Sequence, residues 1–269
     1  MALVPFPGPN SGAYPIPPDD DDDDSPGAKM SFLEHLDELR KRIVYSLSAV
    51  AICLLIAFTF ITKIYTFLMA PTMRALPAGS RLIYTEPGEA FSLYIQLSLI
   101  MGVLMAAPYI MYQLWLFIAP GLYANEKRMA VPFVVLSSLG LIGGAAFNHY
   151  IMFPWMMAFF ASFNTPDLSF MPKLDSVFSL YTKFLIAMAI VFQMPTLVFF
   201  LAKMRVITAR FLIAQFKYAI LLIFIISAVI TPTGDPVTQT VFAAPMIGLY
   251  VLGIAIAWIV GPKRLGENV

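Results

Sequence analysis

The sequence predicts an all-α polytopic membrane protein of six transmembrane helices with both termini on the cytoplasmic side. Three observations lead to that fold class. Of the 269 residues, 59% are hydrophobic and 12% charged, about half the charged fraction of an ordinary soluble domain. Mean hydropathy is +0.79, and the charge is clumped, leaving apolar stretches able to cross a hydrocarbon core of about 30 Å. Lys and Arg also divide unevenly between the two sides that those stretches define.

Residues 1–29 read as a disordered extension. Six prolines (Pro5, Pro7, Pro9, Pro15, Pro17, Pro18) interrupt any apolar run, and Asp19 to Asp24 contribute six like charges. Such a segment cannot bury enough apolar surface to offset its ordering entropy, and without a basic start it is no secretory signal. Residues 30–260 form the membrane domain and 261–269 a cytoplasmic tail. The first span is Ile43 to Ile61, bounded by Arg40-Lys41-Arg42 and Lys63. The segment before it, SFLEHLDELRKR (31–42), has Ser31 and Glu34 at capping-box spacing, so a helix is expected from Phe32. Phe32, Leu36, Leu39 and Ile43 form a stripe suited to the membrane surface before the chain turns inward.

Lys63 to about Glu89 contains Pro71, Pro77 and Pro87 and reads as a loop with short helical pieces. Ala90 to Ala119 is the second span, with Pro108 expected to kink it. A short charged loop, Pro120 to Arg128, leads to the third span, Met129 to Trp155. Residues 156–176 are the next loop, and the fourth span ends near Ala202. After the basic loop Lys203 to Arg210, span five covers Leu212 to Ile230. The turn TPTGDPV (231–237) leads to span six, Thr238 to Val260. With an even number of spans, 12 of the 17 Lys and Arg fall on the side of the termini, which places the termini in the cytoplasm.

Within this frame few residues could carry chemistry. Glu38 could pair with Arg42 and Asp37 with Lys41, each four residues on, which accounts for both acids in a lone amphipathic helix. Glu126 lies in the short loop on the same face, where it could pair with Lys127 or Arg128. Two acids on one face matter for a dibasic ligand, because carboxylates hold guanidinium groups by paired, charge-assisted hydrogen bonds. Gln193, followed by Pro195, is the most polar mid-span feature and could hydrogen-bond a neighbouring helix. Gln96 and Gln113 read as helix–helix contacts, and Asn148-His149 as an interfacial pair.

Catalytic patterns are missing. The two histidines, His35 and His149, are expected on opposite faces, and Cys53 stands alone. No Gly-x-Ser-x-Gly elbow, phosphate-binding glycine loop or His-Glu-x-x-His helix occurs. Basic residues show no nucleic-acid patterning. The sequence therefore predicts no catalytic residues, metal or cofactor. A secondary transporter for a small solute remains an alternative, although the spans lack central charge and an internal repeat.

Three segments together resemble the TatC family, the core subunit of the twin-arginine protein translocase. They are HLDELRKR (35–42), APYIMYQLWLFIAPGLYANEKR (107–128) and TPTGDPVTQT (231–240). The resemblance runs from about residue 30 to 260. It implies a cup-like six-helix fold whose cytoplasmic face reads Arg-Arg signal peptides, supporting proton-motive-force-driven export of folded proteins. By this resemblance Glu38, Glu126 and Arg40 belong to the signal-peptide site, with Phe117, Tyr123, Pro71 and Pro108 in supporting motifs. Asp235 and Gln239 match a region associated with partner contact, and Gln193 stands where many members carry a glutamate. Single-span subunits of the TatA and TatB type, an oligomeric complex and the bacterial inner membrane are implied in the same way.

Overall fold

From Phe32 to Thr59 the chain has no glycine or proline, and that whole stretch forms one 28-residue helix, α1. The computed structural model describes residues 32–76, 82–118, 129–165, 170–231 and 235–261. At 1.5 Å per residue α1 is about 42 Å long. The expectation that its first third lies along the membrane before turning inward is corrected. Nothing near Leu39 to Ile43 interrupts the i to i−4 ladder, so the amphipathic segment and the first span are one rod. Ser31, the expected cap, lies outside the described residues.

After Phe60, Ile61–Ala75 forms a single helix, α2, where a loop with short pieces was expected. Pro71 sits inside it, buried with Leu68, Met69 and Thr72. Packing thus offsets the one amide that proline removes. Leu68 and Met69 join Leu93 and Leu97 of α3 (Glu89–Ile118) and Phe178 and Tyr181 of α6 (Leu174–Val191) in one buried cluster. Those residues occupy the first turns of α3 and α6. Helix α2 therefore closes the end of the bundle opposite the α1 N-terminus.

The long helices run antiparallel in chain order. Arg42 of α1 meets Gln113 of α3, while further along Leu54 lies against Gly102. The third apolar segment is helical from Ala130 to Ala161, beyond the expected end at Trp155. It comprises α4 (Ala130–Phe147), a π turn (Asn148–Met152) and α5 (Phe153–Ala161). The π turn carries Asn148 and His149, the pair expected at the membrane interface, inward against other helices, where they are 0% and 6% exposed. His149 stacks on Phe67 at 4.3 Å, and its Nδ1 lies 3.4 Å from the Tyr181 hydroxyl.

Helix α4 approaches α6 through Gly140 and Gly144, the small-residue spacing that lets membrane helices come close. A Cβ on Gly144 would stand 2.6 Å from the Met188 carbonyl oxygen. Span four is divided at Phe192-Gln193 into α6 and α7 (Met194–Lys203), with Pro195 in the first turn of α7. Span five is likewise divided. Gln215 separates α8 (Ala209–Ala214) from α9 (Phe216–Ile230), and at the break the Leu212 carbonyl accepts the Tyr250 hydroxyl at 2.8 Å. Helix α10 (Pro236–Val260) packs on both α7 and α9.

Five of these helical segments are long and apolar enough to cross a membrane, and α9 is a shorter apolar helix of 15 residues. At about 22 Å, α9 alone falls short of a 30 Å core. The exposed surface is rich in large apolar side chains, including Leu47, Leu55, Leu139, Val229 and Trp258. Such a surface suits contact with lipid tails.

Candidate functional site

Glu38 lies two turns into α1. His35, Glu38 and Arg42 recur at i, i+3 and i+7, so they share one face, and that face meets the last turns of α3. Arg42 Nε donates to Glu38 Oε1 at 2.7 Å, and Nη2 donates to the same oxygen. Arg42 Nη1 donates to Gln113 Oε1 at 3.1 Å. The Glu38 and Arg42 side chains are 20% and 24% exposed, and Gln113 is buried. One turn beyond Gln113, Phe117 stacks on the His35 ring with centroids 4.4 Å apart.

This seam rests on a rigid wall. Trp115 of α3, Phe133 of α4 and Phe200 of α7 form a buried aromatic cluster with centroids 5.1–5.9 Å apart. The three residues lie near the C-terminus of α3, the N-terminus of α4 and the C-terminus of α7. They brace the same end of the bundle that carries Glu38. Among the described residues no donor reaches Glu38 Oε2. A carboxylate with one oxygen on a guanidinium and the other open can accept a further cationic donor.

The other residues singled out in the sequence are dispersed. Arg40 is exposed and lies about 200° around α1 from Glu38, beside Asp37, Lys41, Val44 and Tyr45. The expected Asp37–Lys41 ion pair does not form within 4.0 Å among the described residues. Tyr123 and Glu126 lie outside the described residues. Their connection leaves α3 at Ile118 and enters α4 at Ala130, the same end as Glu38. Pro108 is exposed within a continuous α3, and Pro71 belongs to the opposite end.

Gln193 Nε2 donates to the Ser137 carbonyl at 2.9 Å, fastening the break in span four to α4. Asp235 caps α10 by accepting the Thr238 amide at 2.7 Å. Gln239 Nε2 donates to the Phe224 carbonyl at 2.8 Å, while its own carbonyl accepts the Ser227 hydroxyl at 2.6 Å. All three thus make helix-to-helix or capping bonds away from Glu38.

Two side chains matter more in the structure than in the sequence. In the sequence Gln113 reads as a general helix–helix contact, though its place four residues before Phe117 puts both on the α1-facing stripe. In the sequence Glu89 reads only as a loop end. It is buried, and Oε2 accepts the Thr85 amide at 3.0 Å while Oε1 accepts the Asp175 amide at 2.8 Å. One carboxylate thereby ties the starts of α3 and α6 together, with Lys173 3.9 Å from Oε2. Among the described residues no group of three or more His, Cys, Asp or Glu could hold a metal ion.

Residues 34–245 match the family model described as Sec-independent protein translocase protein (TatC). A Sec-independent protein translocase protein TatC of Koribacter versatilis is 40% identical over 238 residues, covering 87% of this chain and 88% of that protein. A protein of the same name from Helicobacter pylori is 38% identical over 228 residues, covering 85% and 89%. Among solved structures, one described as twin arginine translocase receptor TatC superposes with a TM-score of 0.71 at 35% identity, covering 83% of this chain and 98% of that one. A second, of TatC in DDM, gives 0.74 at 34% identity, covering 83% and 99%.

Proposed function

From the premise that this chain belongs to the TatC family of Sec-independent protein translocase proteins, we propose that its Glu38 end receives the Arg-Arg pair of signal peptides. The observation that supports this reading most is the Glu38 carboxylate, partly enclosed at the α1–α3 seam and already carrying one guanidinium. A site that accepts the fork geometry of one arginine suits another. Glu126 belongs to the connection between α3 and α4, and in this reading it is the second acid for a dibasic ligand. Each charge-assisted contact contributes about 1.5–3 kcal/mol when partly desolvated, and far less in open solvent. Arg40 contributes to the same end of the bundle as a motif residue, on the other side of α1 from Glu38.

In this reading the protein is a translocase subunit without catalytic chemistry. It sits in a bacterial inner membrane with its termini in the cytoplasm. It assembles with single-span TatA- and TatB-type subunits into an oligomeric complex, and the proton-motive force drives export of folded proteins. Gln193, Asp235 and Gln239, which fasten helices in the chain alone, are its candidate partner contacts. Gln193 acts there as a hydrogen-bonding group, since an amide cannot titrate.

The test is binding of a twin-arginine signal peptide to the protein in lipid nanodiscs, beside a Lys-Lys peptide and a Glu38→Ala, Glu126→Ala double variant. Loss of binding in both controls is expected, because lysine cannot reproduce the bidentate fork. Equal binding in all three would leave only attraction to the membrane and would remove the site assignment.

A further inference from the structure

The Glu38 carboxylate is already engaged by the chain's own arginine. Arg42 sends both Nε and Nη2 to Glu38 Oε1, and its remaining terminal nitrogen is held by the buried Gln113. An arriving guanidinium fork grips both carboxylate oxygens, and Arg42 already holds Oε1. We propose that Arg42, oriented by Gln113, is an internal competitor for Glu38, so that a ligand arginine binds by displacing it. The proposal rests on the receptor reading above and names a residue pair that sets its affinity.

Three features support competition over simple support of Glu38. First, Arg42 places two donors on Oε1, and a ligand arginine that bridges both carboxylate oxygens needs that same oxygen. Second, Arg42 has somewhere to go. At 24% exposure it is reached by solvent, whereas Gln113 is 4% exposed and fixed on α3. Third, the charges around the carboxylate are unfavourable to a dibasic ligand while Arg42 stays. Glu38 and Arg42 then sum to zero, and displacement of Arg42 restores a negative group.

The magnitude follows from the pair's own strength. A partly enclosed i, i+4 ion pair with a third anchor is favoured over its open form by about 3- to 10-fold, equivalent to about 0.7–1.4 kcal/mol at 1.4 kcal/mol per decade. Apparent affinity falls by the fraction of molecules whose site is open. Weakening the latch therefore tightens ligand binding by that factor. Arg42→Lys separates the latch from charge, because it keeps the positive charge and removes the fork. Gln113→Leu removes the anchor for Nη1 and leaves Arg42 itself intact.

The experiment measures binding of a synthetic Arg-Arg signal peptide to the full chain in nanodiscs, for the unaltered protein, Arg42→Lys, Gln113→Leu and each of these combined with Glu38→Ala. Arg42→Lys and Gln113→Leu are each expected to bind about 3- to 10-fold tighter, with no gain once Glu38 is removed. Combining the two changes should add little, since both open one latch. Thermal unfolding of each variant checks folding, and Gln113→Asn, whose shorter arm cannot reach Arg42, replaces Gln113→Leu if that protein unfolds. Unchanged or weaker binding in Arg42→Lys and the Gln113 variant, with Glu38 still required, overturns the competitor and leaves the receptor reading in place. Failure of the unaltered protein to prefer Arg-Arg over Lys-Lys overturns both.

Discussion

Adding one methyl group to each of three glycines should separate close helix approach from ordinary helical preference. On Gly144 a Cβ would lie 2.6 Å from the Met188 carbonyl oxygen and 2.9 Å from the Ala189 Cα. Both are backbone atoms, so no side chain can swing aside and α4 must move away from α6. On Gly143, one residue away, the nearest atom is Phe192 Cδ1 at 3.6 Å, and around Gly248 nothing lies within 4 Å. Alanine in a helix gains about 0.8–1 kcal/mol over glycine. Overpacking a tight contact costs about 1–3 kcal/mol. Gly144→Ala should therefore lose about 0–2 kcal/mol net, while Gly143→Ala and Gly248→Ala should each gain about 0.5–1 kcal/mol. Reversible unfolding in detergent micelles, or ranked melting temperatures, provides the comparison. If Gly143→Ala and Gly144→Ala shift stability by the same amount and sign, the α4–α6 contact does not depend on these backbones approaching so closely.

Other perturbations follow from single contacts. Gln193→Leu removes the bond to the Ser137 carbonyl and should cost about 0.5–1.5 kcal/mol in the same unfolding assay; a neutral result would mean that the break at Phe192-Gln193 is held by packing alone. Arg205 has φ 61°, a left-handed backbone that a side chain disfavours, so Arg205→Gly should raise stability by about 1 kcal/mol. Trp115→Ala opens the cluster with Phe133 and Phe200 and should cost about 3 kcal/mol. Its peptide affinity should fall too, because the wall behind the Glu38 seam loosens.

The Glu38–Arg42 pair was legible in the sequence for a local reason. Arg42 is four residues from Glu38 on the same helix, and helical geometry alone brings i and i+4 together. The motif singled out Phe117, but its contact with His35 was not legible, since that contact needs the antiparallel register of α1 and α3. Arg40 stood beside Glu38 in the motif, yet two residues along a helix point away from each other. Asp37 and Lys41 had the same spacing as Glu38 and Arg42 without forming the pair. The difference is Gln113, which holds the Arg42 guanidinium in place and has no counterpart beside Lys41 among the described residues.

Three motifs carried the resemblance to its family, and composition and charge clumping were enough to determine an all-helical membrane protein and the order of its apolar segments. Those properties depend on the free energy of placing each segment in lipid or water, which is nearly a sum over neighbouring residues. The tertiary structure decided which polar groups meet. It buried His149 through a π turn, joined the starts of α3 and α6 on Glu89, split span five at Gln215 and set Gln113 against Arg42. Each of these rests on one atom finding its partner across many residues of chain. A buried donor or acceptor in a membrane bundle must be satisfied by some neighbour, and only packing determines which neighbour that is.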